Sequence, residues 1–273
     1  VNLNNMEPPP PPPPPAHAGP TSESNNQQPP PTPHHSTASS SSTPPSFPHL
    51  DVLTPSGTHP FLKPSKRIHT GADVAHFLTS LAYRDIGVFI LQLNRALCPR
   101  KIIEQQQQQQ NQKVRSFALD SPRPNEPEAV TKLREMLGVV EGMIEEAPPE
   151  KGPRRFGNVS FRRWYEILDA RVEGLLREYL PARMWADWGQ GVREKEEGLM
   201  EEVKAYFMGA FGSAQRLDYG TGHELSFLAF LGCLWKLGVF HHVDSGGEEA
   251  EGKGKKKEDG EVERSVVLGV FEP

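Results

Sequence analysis

The chain has 273 residues, 28 of them Pro and 24 Gly, and its 30 basic and 35 acidic side chains leave a net charge of −5. This mild acidity gives no support for nucleic-acid binding as the main activity, and no run of about 18 to 20 apolar residues occurs, so no membrane partner is expected. Cys98 and Cys233, the two cysteines, lie in apolar helical contexts and are expected as buried free thiols in a reducing compartment. The amino terminus shows no basic-then-apolar leader, which points to a cytoplasmic location, with the nucleus also open.

Residues 1–60 are low complexity. Pro8–Pro15 is an unbroken proline run, Pro29–Pro33 is Pro-rich, and Ser39–Ser42 is a serine run. Such a segment cannot bury enough apolar area to offset its ordering entropy, so a disordered tail is expected. An all-α domain over residues 61–273 is expected to follow.

Thr70 and Asp73 have capping-box spacing. After them, Val74, Phe77, Leu81, Phe89, Leu93 and Leu97 recur at steps that predict one long amphipathic helix, ended by Pro99. Residues of about 100–126 carry Gln105–Gln110 and a Pro-rich stretch and read as a flexible insertion. Val130, Leu133, Leu137, Val140 and Ile144 mark the next helix, stopped at Pro148-Pro149. Phe161, Trp164, Leu168, Val172 and Leu176 mark another, ended by Pro181.

A short helical turn at Arg183–Trp188 breaks at Gly189-Gln190-Gly191, and Leu199, Val203 and Phe207 carry the helix after it. Leu225–Phe240 is apolar almost all round, which reads as a central, buried helix. A second flexible insertion is expected at about 244–263, rich in Gly, Glu and Lys. Val266–Phe271 resumes an apolar pattern, as the first turns of a further helix would. No convincing strand pair is visible.

The usual catalytic constellations are missing. There is no Gly-x-Ser-x-Gly elbow and no phosphate loop with its lysine. His241-His242-Val243-Asp244 lacks further ligands at metal-binding spacing. Two polar clusters stand out. One is Asp218-Tyr219-Gly220-Thr221-Gly222-His223-Glu224, where Thr221 and Glu224 again have capping-box spacing. The other is Arg154–Asn158, followed by Arg162 and Arg163. Arginine beside a helix N-terminus suits phosphate or carboxylate, and a Gly-Thr-Gly turn can add backbone donors. Each cluster also has a purely structural reading. Asn158 serves as an N-cap, Asp218 pairs with Arg216 or Arg162, and His223 is a satisfied histidine at the rim of the core.

Together, Ser80-Leu81-Ala82-Tyr83-Arg84-Asp85-Ile86-Gly87, Arg155-Phe156-Gly157-Asn158 and Leu217-Asp218-Tyr219-Gly220-Thr221-Gly222-His223-Glu224 resemble the phosphotyrosyl phosphatase activator family. The resemblance spans roughly Phe61–Phe240. It implies a multi-helix fold that activates type 2A serine/threonine protein phosphatases. It also implies peptidyl-prolyl cis-trans isomerase activity, a pocket for ATP with magnesium, and contact with the phosphatase catalytic subunit and proline-containing peptide segments. Arg155–Asn158 and Asp218–Glu224 match motifs lining that region. Family members continue with a Gly-Val-Trp-Gly-Leu-Asp-Asp-Tyr-like segment and further helices that this sequence lacks, so a fold without its C-terminal helices is expected.

The residues expected to act on the prolyl bond are Asp218, Tyr219, Gly220 and His223. Those expected to hold the nucleotide are Arg155, Asn158, Arg162, Gly220, Thr221 and Gly222, and residue type points to Asp218 and Glu224 for magnesium. Trp164, Tyr165, Tyr219 and Phe227 are candidates for an apolar proline seat, and equally for the core. The alternative function is a non-catalytic scaffold that only binds the phosphatase.

Overall fold

The computed structural model describes residues 47–55, 59–103, 112–115, 126–152, 157–241 and 260–271, all within the unit Ser46–Pro273. The expectations on Arg155 and on the polyproline, polyglutamine and Gly/Glu/Lys tracts lie outside these residues. The architecture is all-α. In chain order the helices are α1 (Gly71–Leu78), α2 (Leu81–Leu97), α3 (Glu128–Gly142), α4 (Ser160–Tyr179), α5 (Ala182–Gly189), α6 (Arg193–Gly209), α7 (Thr221–Lys236) and α8 (Glu261–Val266). A 3-10 turn at Met143–Glu145 follows α3, and a π-helical turn at Val267–Phe271 follows α8.

The packing follows the apolar stripes. α6 lies against α4, α5 and α7, α3 lies against α4, and α2 lies against α7 and α8. Leu133, Met136, Leu168, Leu199, Phe207 and Phe230 meet in one core with almost no solvent exposure. Each such side chain contributes about 1.5–3 kcal/mol on burial. Three tryptophans pin neighbouring elements through their indole N–H groups. Trp164 donates to the Val140 carbonyl at 3.3 Å, Trp188 to Leu237 at 3.2 Å and Trp235 to Leu50 at 3.1 Å.

The structure corrects several expectations. The first helix is two helices bent by 59°. α1 has its Thr70/Asp73 capping box, but Ser80 then caps a new helix by accepting from the Tyr83 N–H at 3.2 Å. The Thr79 hydroxyl turns back to the His76 carbonyl at 3.0 Å, which satisfies the end of α1. A two-stranded antiparallel hairpin, β1 (Arg100–Ile103) with β2 (Gln112–Arg115), stands where no strand was expected. Four-residue strands are too short to show a period in sequence.

The folded unit also starts before residue 61. Leu50 is 5% exposed, its N–H donates to Gln92 Oε1 at 2.8 Å, and its carbonyl takes the Trp235 indole. At the other end, Glu261–Glu263 belong to α8 rather than to an insertion, and Glu263 accepts from Gln92 Nε2 at 2.9 Å. Both cysteines are free, but Cys98 is exposed at the end of α2. The amino-terminal half of α7 lies at the rim of the core, with Leu225 39% exposed, while Phe230, Leu231 and Leu234 are fully buried. No single helix among the described residues is long and apolar enough to cross a membrane, though the bent α1–α2 pair together has the length and composition.

Candidate functional site

The segment between α6 and α7 is a tight turn with unusual backbone. Gly212 and Leu217 have φ of 110° and 55°, both left-handed. The Ser213 N–H donates to the Asp218 carbonyl at 3.0 Å and the Leu217 N–H to the Ser213 carbonyl at 2.7 Å. Ser213 Oγ accepts from the Arg216 N–H at 3.1 Å. The turn is therefore closed on itself before it meets anything else.

Two contacts from the start of α4 lock it in place. Gly157, at φ 84°, packs so closely that a Cβ there would lie 2.6 Å from the Leu217 carbonyl oxygen. Arg162 donates from Nε to the Ala214 carbonyl at 3.1 Å and from Nη2 to Gln215 at 3.4 Å. The two clusters marked in the sequence thus meet through backbone. Asn158 ties the same corner down. Its Oδ1 accepts from the N–H groups of Ser160 at 3.0 Å and Glu150 at 3.2 Å, and its Nδ2 donates to the Glu150 carbonyl at 3.1 Å. In this arrangement the polar groups of Asn158 and Arg162 position loops.

The carbonyls at the end of α6 are used as well. Met208 accepts from Tyr165 Oη at 3.3 Å, and Gly209 lies 2.7 Å from His223 Nδ1. A carbonyl only accepts, so Nδ1 carries the proton, and Nε2 of the neutral ring is left as an acceptor. Tyr219 stacks on that ring, with centroids 5.5 Å apart and planes at 25°, and is itself 61% exposed. Asp218 is held by Arg216 Nε at 2.7 Å, and this hydrogen-bonded guanidinium keeps its carboxyl below the usual range.

The Thr221/Glu224 capping box does not form. Gly220 is the N-cap, with no side chain to offer, so the first N–H groups of α7 carry no side-chain cap. Gly220, Thr221, Gly222 and Glu224 are exposed around that helix start, where the helix dipole favours an anion. Among the described residues no three His, Cys, Asp or Glu side chains converge as a metal site. Of the four candidates for a proline seat, Trp164 is buried, and Tyr165 and Phe227 are packed against the core. Tyr219 alone presents its ring to solvent. The Gly157–Leu217 contact and the Tyr165 brace were not anticipated. Leu217 carries no sequence signal for a left-handed backbone, and Tyr165 reads as one more aromatic on a helical stripe.

Residues 64–253 match the family model described as phosphotyrosyl phosphate activator (PTPA) protein. The chain belongs to the PTPA family. Both loops of the site lie within the matched span. A relative from Neurospora crassa, serine/threonine-protein phosphatase 2A activator 1, is 42% identical over 327 residues, covering 85% of this chain and 51% of the relative. The protein of that name from Aspergillus fumigatus is 44% identical over 224 residues, covering 82% and 42%. Among solved structures, the PP2A phosphatase activator Ypa1 PTPA1 matches with a TM-score of 0.55 and 27% identity, over 81% of this chain and 56% of that one. This PTPA-family chain spans about half the length of the curated relatives it matches.

Proposed function

We propose that the chain serves as an activator of type 2A serine/threonine protein phosphatase and presents the tip Tyr219–Glu224 to the phosphatase catalytic subunit. The observation that carries this reading is the contrast between brace and tip. Gly157, Asn158, Arg162 and Tyr165 are spent on fixing the backbone, while Tyr219, Gly220, Thr221 and Gly222 stand exposed on the turn they brace. Rigid aromatic anchors lose little entropy on association and dominate interfaces. The names of the relatives support the partner.

The finer part of the reading is peptidyl-prolyl isomerisation. The roughly 18–20 kcal/mol barrier to rotation arises from amide resonance, so no nucleophile is needed, only tighter binding of the twisted amide than of either planar form. The exposed Tyr219 ring backed by His223 supplies an apolar seat, and the uncapped N–H groups at Gly220–Gly222 supply donors. Asp218 acts through Arg216 by holding the turn.

ATP, when bound, would supply phosphate charge. The α7 N-terminus and the Thr221 hydroxyl are the groups of this chain suited to hold it, together with Arg155. Asp218 or Glu224 would offer magnesium a carboxylate, though among the described residues no three His, Cys, Asp or Glu side chains converge there. A scaffold without catalysis is the second reading, favoured by the internal engagement of Asn158, Arg162 and Asp218.

The test is activation of purified type 2A catalytic subunit by this chain and its Tyr219→Ala variant, alongside a proline-peptide isomerisation assay without phosphatase. The variant is expected to activate at least about tenfold less at unchanged melting temperature. Full activation by Tyr219→Ala would overturn the tip as the contact. Activation without any isomerisation would select the scaffold.

A further inference from the structure

A second site lies away from this tip, at the other end of α7. The segment before α1 together with α2, α6 and α7 encloses a cavity of about 340 Å³. This is within the size range of small-ligand sites. Its walls are apolar, with Ile86 and Phe89 from α2, Leu199 and Val203 from α6, and Leu228 from α7.

The polar groups on the wall are few and unequal. Asp85 pairs with Lys236 across the cavity rim and with Arg84, which also reaches Asp51 at 3.9 Å, so this group of four is balanced within itself. Glu202 is different. One carboxylate oxygen accepts from the Leu62 N–H at 3.0 Å, and among the described residues no Lys, Arg or His lies within ion-pair distance of it, His59 on the same wall acting only from farther away. Tyr206 lines the same wall, and its hydroxyl makes no hydrogen bond among the described residues.

We propose that this cavity binds a small primary amine carried on an apolar, ring-sized body, with the ammonium paired to Glu202 and the body lying between α2, α6 and α7. The apolar walls account for the body, and a carboxylate that among the described residues has no directly paired cation accounts for the head group. An ammonium supplies the cation that Glu202 lacks, and the Tyr206 hydroxyl can accept a second of its hydrogens. Burial pushes the Glu202 carboxyl up, against the weaker pull of the Leu62 N–H and the His59 charge, and pushes the Tyr206 phenol up to about 12. The tyrosine therefore stays neutral, and an ammonium favours the charged form of Glu202.

The experiment titrates the chain with 2-phenylethylamine, 2-phenylethanol and phenylacetate, three probes with one ring and different head groups, followed by calorimetry or by ligand NMR. The amine is expected to bind at least about tenfold tighter than the alcohol, with phenylacetate weakest. Glu202→Gln retains an acceptor for the Leu62 N–H and is expected to shrink the amine's advantage to within about threefold. Ala82→Trp, at an exposed position on the cavity wall, is expected to abolish binding of the amine and the alcohol at unchanged melting temperature. The proposal is overturned if amine and alcohol bind the parent chain equally. It is overturned equally if none of the three binds at about 10 mM, weak even for ligands of this size, or if either variant binds the amine as the parent does. The comparison among probes on the parent chain decides the matter even if a variant does not fold.

Discussion

The Leu217 carbonyl oxygen determines what residue 157 can be. Alanine at Gly157 would place its Cβ inside that contact and hold a side chain at φ 84°. Gly157→Ala is expected to cost about 1–3 kcal/mol in urea denaturation and to release the turn that presents Tyr219. The two cysteines give a second check. Burial, followed by the charge of Glu202, pushes the Cys233 thiol up to about 12, whereas Cys98 is exposed. Iodoacetamide at pH 8 is expected to label Cys98 and leave Cys233 untouched until the chain is unfolded, as intact-mass measurement would show. At this scale the sequence was readable where partners are close in number. Arg216 as a mate for Asp218 followed from a spacing of two. Arg162 reaching the carbonyls of residues 214 and 215 did not, because main-chain acceptors leave no mark in a sequence.

Among the elements, α1 is the most weakly held. None of its residues is buried, while Leu168, Val172, Leu175 and Leu176 of α4 are all in the core. Hydrogen exchange is expected to be fast throughout α1 and slowest in α4 and the second half of α7, because local opening follows buried contacts. The break at Thr79–Ser80 shows why apolar spacing alone joined α1 to α2. The stripe continues across the bend, and the stop lies in two hydroxyls that satisfy backbone groups. The Asp85–Lys236 ion pair ties α2 to α7. Burial opposes ionisation of Asp85, but Lys236 and Arg84 together outweigh it and hold the carboxyl below its usual 3.8. A carboxyl depressed in the folded state adds stability above its unfolded pKa, and that stability is lost as pH falls through the folded value. Asp85→Asn is therefore expected to lower the melting temperature near pH 7 and to flatten the acid limb below about pH 4.

For the molecule as a whole, the helical class was legible because long stripes of period 3.6 survive any arrangement of the helices. The boundaries were not, since Leu50 sits in a Pro- and Ser-rich context and is ordered only by distant partners. Removing residues 1–60 is expected to cost on the order of 3–5 kcal/mol, from the lost Leu50 side chain and the stranded Gln92 and Trp235 donors and acceptors. The same strap bears on how the molecule is made. Leu50 and Trp235 are 185 residues apart. At about 5–20 residues per second, a ribosome needs roughly 10–40 s to deliver the second after the first. Leu50 therefore has no seat until α7 has been synthesised, after six of the other described helices, and its docking waits for all of them.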